Sequence, residues 1–397
     1  MRLDRLEVSD YRNIQRLAVD LPGGLSVFIG DNAEGKSNLL EAVYLLATMR
    51  ALRAENDAQL IRRDALDDVL PAARVVGHVS TAEGPVKLEM TIVSRPGAGG
   101  PIATKTVKVN GVARRLSDAV GRLTAVLFSA EDLEMITGTP SLRRRYIDTT
   151  LSQVDPKYAA ARSRFERVIT QRNHLLKRLR EGAARPDELM FWDDELSRDG
   201  GLIFQRRAAA LSRIAVLAAA AHADLAPGER LEVHYRPRLE PLPPGLESAG
   251  DEEAAEVYAR ALRATAGADT AAGMTLQGPH RDDIAFSLNG FGAGGFASRA
   301  QQRTIALSLR LAEVQFLRDR RGEAPVLLLD DVLSEMDAAR RESVLAGLAQ
   351  VDQMLVTGTD WDRFPADYLA GASRFQVRSG SVQPLVAGLA APGTADS

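Results

Sequence analysis

An α/β fold interrupted by a helical insertion is the fold class the sequence predicts, and three stretches predict it. In residues 25–49, "LSVFIGDNAEGKSNLLEAVYLLATM", an apolar run suited to a buried strand leads through a glycine turn into a run that is apolar on most faces, as a buried helix is. Residues 156–182, "PKYAAARSRFERVITQRNHLLKRLREG", repeat Phe165, Val168, Ile169, Leu175, Leu176 and Leu179 at helical spacing with charges between them. Residues 326–337, "VLLLDDVLSEMD", form an apolar strand that ends in the carboxylates Asp330 and Asp331.

The glycine turn carries the most chemistry. Gly30 and Gly35 bracket four residues and are followed by Lys36 and Ser37, the G-x-x-x-x-G-K-S spacing of a phosphate loop. Its backbone N–H groups converge on nucleotide phosphates, its lysine supplies a point charge, and its serine hydroxyl is a ligand for Mg²⁺. A nucleotide is therefore expected at residues Gly30, Asp31, Asn32, Ala33, Glu34, Gly35, Lys36, Ser37 and Asn38.

The rest of the first region, to about Ser129, reads as β-rich. "VKLEMTIV" alternates with Val86, Leu88, Met90 and Ile92 on one face, and Asn110-Gly111 is a hairpin turn between "KTVKV" and "VARRL". From about Ala130 to Ala266 the pattern becomes helical. One helix is expected over Lys157–Glu181 and a second over Glu188–Leu225, interrupted at Gly200 and Gly201. A proline-rich connection and a shorter helix at Glu252–Ala264 complete a compact insertion, with no heptad long enough for a coiled coil. The α/β pattern then returns. The domains expected are thus 1–129 with 267–397, one discontinuous head, and 130–266, a helical insertion.

Composition narrows the function classes. The chain of 397 residues has no cysteine, and its five histidines show no ligand spacing, which excludes thiolate metal sites and argues against zinc. "MRLDRLEVSDYRN" lacks the apolar core of a signal peptide, and "IAVLAAAA" is too short to span a bilayer, so a soluble, cytoplasmic protein is expected. A net charge of −3 restricts any nucleic-acid surface to a local patch.

At the end of a buried strand beside a phosphate loop, Asp330 is placed to hold Mg²⁺ through water and Asp331 to orient or deprotonate an attacking water. Lys36 and Asp330 stand almost the whole chain apart, as a head with a large insertion requires. Just before the acidic strand, "FASRAQQRTIALSLRLAEVQFL" sets Ser298, Arg299 and Gln301 at the start of a helix with a buried stripe of Ile305, Leu309, Ala312 and Phe316. A serine at a helix N-terminus is a second anion site or an ordinary N-cap.

The order of phosphate loop, serine motif, acidic strand and "SEMD" resembles the ATPases of the ABC class. Over nearly the whole chain the sequence resembles the RecF family within that class. The residues that carry this are "YRNIQ" (11–15), "GDNAEGKSNLLEA", "SLRRRYIDTTLSQ", "QRNHLLK", "LQGPHRDDIAF", "SRAQQRTIALSL" and "LLLDDVLSEMD". The resemblance implies an ABC-type P-loop ATPase head, a mixed-sheet lobe plus an antiparallel β lobe, with the helical insertion and no long coiled coil. It also implies a slow, DNA-stimulated ATPase that forms an ATP-dependent head-to-tail homodimer on double-stranded and gapped DNA, and works with RecR and RecO to place RecA.

By the same resemblance Lys36, Asp330 and Asp331 are catalytic, with Ser37 and Asp330 at the metal. Ser298 and Gln301 belong to the signature that meets the nucleotide of the opposite subunit, Asp337 to the dimer-contact loop, and Arg12 to the nucleotide. Thr357 or Thr359 stands where relatives carry a γ-phosphate sensor. Ala300 departs from the glycine usual in the signature and adds a methyl group near the phosphate. A DNA surface is expected at Arg172, Lys177 and Arg178, because residues 161–182 hold seven basic and two acidic side chains; the alternative is a solvated helix face. Arg143, Arg144 and Arg145 are a second basic cluster or structural ion pairs. "GPHRDD" reads as a tight turn. Aromatic content of 5% disfavours a stacking platform for single strands. A transporter ATPase subunit and a single-chain P-loop kinase are the rival classes.

Overall fold

The computed structural model describes residues 1–54, 56–97, 100–240, 245–332, 351–364 and 366–385, and these form two compact units, 1–130 with 321–397 and 131–320. The second crossing therefore falls at 320/321 and not at 266/267. The reason is pairing: the strand at 283–288 bonds to one at 231–236, so the segment expected to rejoin the head stays with the insertion.

The first unit begins with β1 (Arg2–Tyr11), β2 (Ile14–Asp20) and β3 (Gly24–Ile29), followed by α1 (Lys36–Thr48). Then come β4 (Ala72–Thr81), β5 (Gly84–Arg95), β6 (Ile102–Val109), β7 (Val112–Arg114), the single turn α2 (Leu116–Ala119) and β8 (Ala125–Phe128). Six strands make an antiparallel sheet in the order β2-β1-β4-β5-β6-β7. Asn110 and Gly111, with φ 51° and 80°, give the β6–β7 turn the positive dihedrals of a tight hairpin. In β5 the alternation holds, with Leu88, Met90 and Ile92 buried.

α1 is apolar on most faces because both sheets cover it. Every residue from Leu39 to Thr48 is buried, and the helix shares one core with Val75, Leu88 and Met90 of the antiparallel sheet and with Phe28, Leu127 and Leu328 of the mixed one. Each such aliphatic side chain contributes about 1.5–3 kcal/mol by leaving water, so the helix that follows the glycine turn is fixed in place.

The second unit opens with α3 (Asp132–Thr137), α4 (Pro140–Ser152), α5 (Pro156–Arg180) and α6 (Leu189–Leu225). α5 starts where Asp155 accepts the Tyr158 N–H at 3.0 Å and Pro156 occupies the first turn, the residue types a helix start favours. α6 runs unbroken through Gly200 and Gly201, against expectation. These glycines permit close approach: a Cβ at Gly200 would lie 2.3 Å from the Tyr258 ring, and one at Gly201 2.5 Å from the backbone of Ala254. The partner helix α7 (Asp251–Ala272) is longer than expected and stops at Gly273, φ 67°. By length and composition 186–225 is long and apolar enough to cross a membrane, unlike the short "IAVLAAAA" alone. In the fold its buried face packs on α5 and α7 and carries Asp199 and Arg207, both ion-paired.

The insertion is not purely helical. β9 (Leu231–Arg236), β10 (Asp283–Leu288) and β11 (Phe291–Gly292) form an antiparallel sheet in the order β11-β10-β9, and α8 (Ala293–Phe296) and α9 (Arg299–Arg321) follow. Ile305, Leu309, Ala312 and Phe316 are buried along α9, as the stripe predicts.

The chain then completes the first unit with β12 (Val326–Asp330), β13 (Gln353–Gly358), the short helix α10 (Ala366–Ala370), β14 (Ser373–Arg378) and β15 (Ser381–Leu385). The mixed sheet runs β15-β14-β3-β13-β12-β8, parallel throughout except for the edge strand β15. β12 is buried at every position, which explains its uninterrupted apolar run. Both β3 and β12 point their C-terminal ends at the residues that follow.

Candidate phosphate-loop site

The loop between β3 and α1 turns through Ala33, φ 68°, and Gly35, φ 107°. Left-handed residues separated by ordinary ones make a concave set of backbone N–H groups, suited to an anion. Gly35 is required twice over. It holds the dihedral that L side chains avoid, and a Cβ there would stand 2.7 Å from Asn13 Oδ1. Asn13, on the β1–β2 turn, donates to the Ala33 carbonyl at 3.3 Å and accepts from Asn38 at 2.8 Å. From the other side, Gly380 N donates to the Glu34 carbonyl at 2.8 Å, and Ser379 N donates to the Glu34 carboxylate. Two hairpin turns thus grip the loop while Asp31, Asn32 and Ala33 at its crest stay exposed.

Lys36 folds back under this crest. Its Nζ donates to the carbonyls of Gly30 at 2.6 Å and Asp31 at 2.8 Å. Burial holds the amine below its usual range, opposed by the surrounding Asp331, Asp330, Asp31 and Glu34. Ser37 Oγ donates to Asp330 Oδ1 at 2.8 Å, so residues from opposite ends of the chain meet. Thr357, on the neighbouring strand β13, also reaches Asp330 Oδ1 at 3.0 Å and accepts the Asp331 N–H at 3.0 Å. This distinguishes Thr357 from Thr359, which lies past the strand. Asp331 turns away from the strand direction with φ 54°, a conformation aspartate tolerates better than most residues.

Two side chains at this site lie outside the residues expected to bind the nucleotide. Arg53, after α1, donates to Asp330 Oδ2 at 3.1 Å. Glu41, buried in α1, is held by both arms of Arg12 at 2.8 and 2.7 Å and accepts the Arg53 N–H at 3.4 Å. Arg12, φ 54°, is thus committed to Glu41 and to the Gln59 carbonyl at 3.2 Å. Burial and the Glu41 charge also push the Tyr11 hydroxyl well above its usual range. A Glu five positions after the loop lysine was the available signal.

The donor set at Ser37 and Asp330 is a hydroxyl and a carboxylate. Hard oxygens of this kind suit Mg²⁺, which needs only one or two protein carboxylates when phosphates supply further ligands. Among the described residues no group of three His, Cys, Asp or Glu could hold a metal by itself.

In the second unit Ser298 and Gln301 cap α9 reciprocally. Gln301 Oε1 accepts the Ser298 N–H at 2.8 Å, and Ser298 Oγ accepts the Gln301 N–H at 3.3 Å. Gln301 Nε2 then donates to Glu229 at 2.8 Å. Asp337 lies outside the described residues, as do the remainder of "SEMD" and the C-terminal tail.

The expected DNA surface needs correction at Arg172. Its side chain is 0% exposed and bonds Asp193 at 2.6 Å, Asp269 at 2.7 Å and Thr275 at 2.8 Å. Lys177 and Arg178 are exposed on the same helix. "GPHRDD" is more than a turn, because Asp282 accepts from Arg207 at 2.9 Å, from the Arg238 N–H at 2.7 Å and from Tyr235. Arg143 forks Asp283 at 2.6 and 3.0 Å, and Arg144 donates to the Asp282 carbonyl at 2.6 Å, so both serve structural pairing.

The N-terminal domain model of RecF, RecN and SMC proteins matches residues 2–365. DNA replication and repair protein RecF of Chloroflexus aurantiacus is 40% identical over 393 residues, 96% of this chain and 99% of that one. Its counterpart in Roseiflexus castenholzii is 39% identical over 398 residues, 97% of this chain and 100% of that one. The solved structure of the recombination mediator protein RecF with ATP, in the RecFOR pathway, has a TM-score of 0.84 at 30% identity over 97% of each chain. An Smc head with coiled coil and joint from Pyrococcus yayanosii, 12% identical with a TM-score of 0.51 over 96% of each chain, shares the fold alone. With a nearly full-length match to the family model and to its relatives, and an α/β head of the SMC type, the chain belongs to the RecF family of DNA replication and repair proteins.

Proposed function

We propose that this chain is a cytoplasmic, ATP-dependent DNA-binding clamp of recombinational repair. The observation that carries the reading is the 2.8 Å contact of Ser37 with Asp330, which joins a phosphate loop to an acidic strand end. The backbone of Gly30 to Ser37 cradles the phosphates of ATP, and Lys36 exchanges its loop carbonyls for phosphate oxygens. Ser37 and Asp330 hold Mg²⁺, which neutralises charge on the phosphate oxygens. Asp331 orients the water that attacks the γ-phosphorus, releasing ADP and phosphate. Being one methylene shorter than glutamate, it makes turnover slow. Thr357 supports Asp330, and Arg12 acts on the site through Glu41.

Ser298 and Gln301 present the N-terminus of α9 to the γ-phosphate bound by a second copy, with Asp337 in the contact loop, so ATP closes a head-to-tail homodimer. Lys177 and Arg178 meet the backbone of duplex DNA at gaps, in a salt-dependent and mostly sequence-independent way. Hydrolysis resets the clamp, which acts with RecR and RecO in loading RecA. What supports this are the relatives named for DNA replication and repair and the related structure with ATP.

The test is molar mass in solution for the wild type, Lys36→Met and Ser298→Arg, with and without ATP–Mg²⁺ and a short duplex. The wild type doubles its mass only with ATP, and both variants stay monomeric. ATP turnover at constant monomer mass would mean a site complete in one chain, as in a P-loop kinase, and the clamp would fall.

A further inference from the structure

Both oxygens of Asp330 are engaged by the chain itself. Ser37 and Thr357 share Oδ1, and Arg53 Nη2 takes Oδ2 at 3.1 Å. The first two are neutral hydroxyls, so among the described residues the cationic hydrogen-bond donor to this carboxylate is Arg53, with the Lys36 charge close by. Asp330 is 9% exposed, and Arg53 is 35% exposed. The same residue's backbone N–H bonds Glu41, which is 3% exposed and already forked by Arg12. Glu41 therefore holds Arg53 by its main chain, while the Arg53 guanidinium reaches Asp330.

We infer that Arg53 is an internal counter-ion of the metal aspartate, displaced when Mg²⁺ enters with the nucleotide. The inference rests on the reading of Asp330 as the metal aspartate. Mg²⁺ held at Ser37 and Asp330 would bring a second positive charge to the carboxylate that Arg53 bonds, and two cations at one nearly buried carboxylate repel each other. A lysine could relieve this by losing a proton; an arginine cannot, so it must move. Its third of exposed surface gives the guanidinium a way out to solvent without unpacking the core. Glu41 holds the backbone at this point, so release begins at the side chain and loosens residues 50–54. The nucleotide site thereby acquires a mechanical output: metal loading changes the partners of a segment outside the phosphate loop.

The first test titrates Mg²⁺ into protein with a fluorescent ADP analogue, which has no γ-phosphate for a second copy to contact. The Mg²⁺ midpoint for tightening the nucleotide should fall about fivefold in Arg53→Gln, the scale of one part-exposed ion pair, and stay near wild type in Arg53→Lys. Asp330→Asn should lose the Mg²⁺ dependence. If Asp330→Asn loses it while Arg53→Gln keeps the wild-type midpoint, the counter-ion is wrong and the metal aspartate stands. If Asp330→Asn keeps it, both fall. Should Arg53→Gln fail to fold, wild-type protein decides: trypsin should cut after Arg53 faster with ADP–Mg²⁺ than with ADP alone. An unchanged or slower cut overturns the inference.

Discussion

Around the phosphate loop, Arg12 and Arg53 share the carboxylates Glu41 and Asp330 in partly exposed pairs, whereas in the second unit Arg172 and Arg207 sit with Asp269, Asp148 and Asp282 in pairs closed to solvent. The residue types are the same. What separates them is burial. Arg53 has somewhere to go; Arg172, at 0% exposure with Asp269 also at 0%, does not. A pair with one solvent-facing arm can exchange partners at modest cost, while a fully desolvated pair is committed to the fold. "QRN" and "GPHRDD" are among the stretches that carry the family resemblance, and here they meet at Thr275, whose carbonyl accepts from Arg281 at 2.8 Å. Arg172 and Asn173 both bond Thr275, and Asp282 ties Arg207 to β9. A family-specific motif thus marks either a ligand site or a fold-holding knot, and burial distinguishes the two.

The sharpest way to break this comparison is to remove one side of the buried knot. Arg172→Ala leaves Asp193 and Asp269 without their arginine, and deleting one member of a buried pair costs about 3–5 kcal/mol. The chain has two tryptophans, Trp192 in the second unit and Trp361 in the first, so each unit can be followed separately. In urea the Trp192 transition should shift strongly while the Trp361 transition holds. Retained stability with a selective loss of DNA binding would restore Arg172 to the surface role the sequence suggests.

His280 tests the same knot through pH. Burial, with Arg281, Arg144 and Arg207 nearby, lowers it from 6.5 to about 4, against a raising bond to the Thr275 carbonyl. The unfolded chain then takes up a proton that the folded one refuses. Stability is therefore full above pH 6.5 and is lost as pH falls from 6.5 toward 4, by at most about 3 kcal/mol. Burial pushes the Asp282 carboxyl up, and that group titrates in the opposite sense, so the useful quantity is a difference. His280→Gln should flatten the decline of the Trp192 transition across this window. An identical decline in both proteins would place the histidine in contact with solvent.

The two regions were not equally legible in sequence. The phosphate loop, α1, β12 and α9 follow from local pattern, because each is a contiguous run whose period and end residues suffice. β9 is paired across the chain with β10, and nothing within residues 231–236 announces that partner. Gly200 and Gly201 read as a break because glycine weakens isolated helices; their value lies in the approach of α7, a tertiary fact. For Arg172 the signal was present and overridden. It lies seven residues after Phe165 and four before Leu176, on the apolar stripe of α5, so its spacing placed it inside while its charge suggested outside. Arg53 is in no motif and becomes visible only through its contact with Asp330.

Lys177 and Arg178 make the smallest change to the fold and the cleanest contrast with Arg172. Both are exposed, and Arg178 donates to the Ala183 carbonyl at 3.0 Å. Reversing both to Glu should alter stability by less than about 0.5 kcal/mol each. The charges also lie in the last turn of α5, where cations favour the helix C-terminus, so a small loss is expected before any gain. If this face meets a DNA backbone, the double reversal weakens duplex binding at low salt. It also makes the salt dependence shallower, because fewer counterions are released. ATP affinity stays at the wild-type value. Unchanged duplex affinity at low salt would make α5 a solvated face from Lys177 onward, and the DNA surface would have to lie on another element.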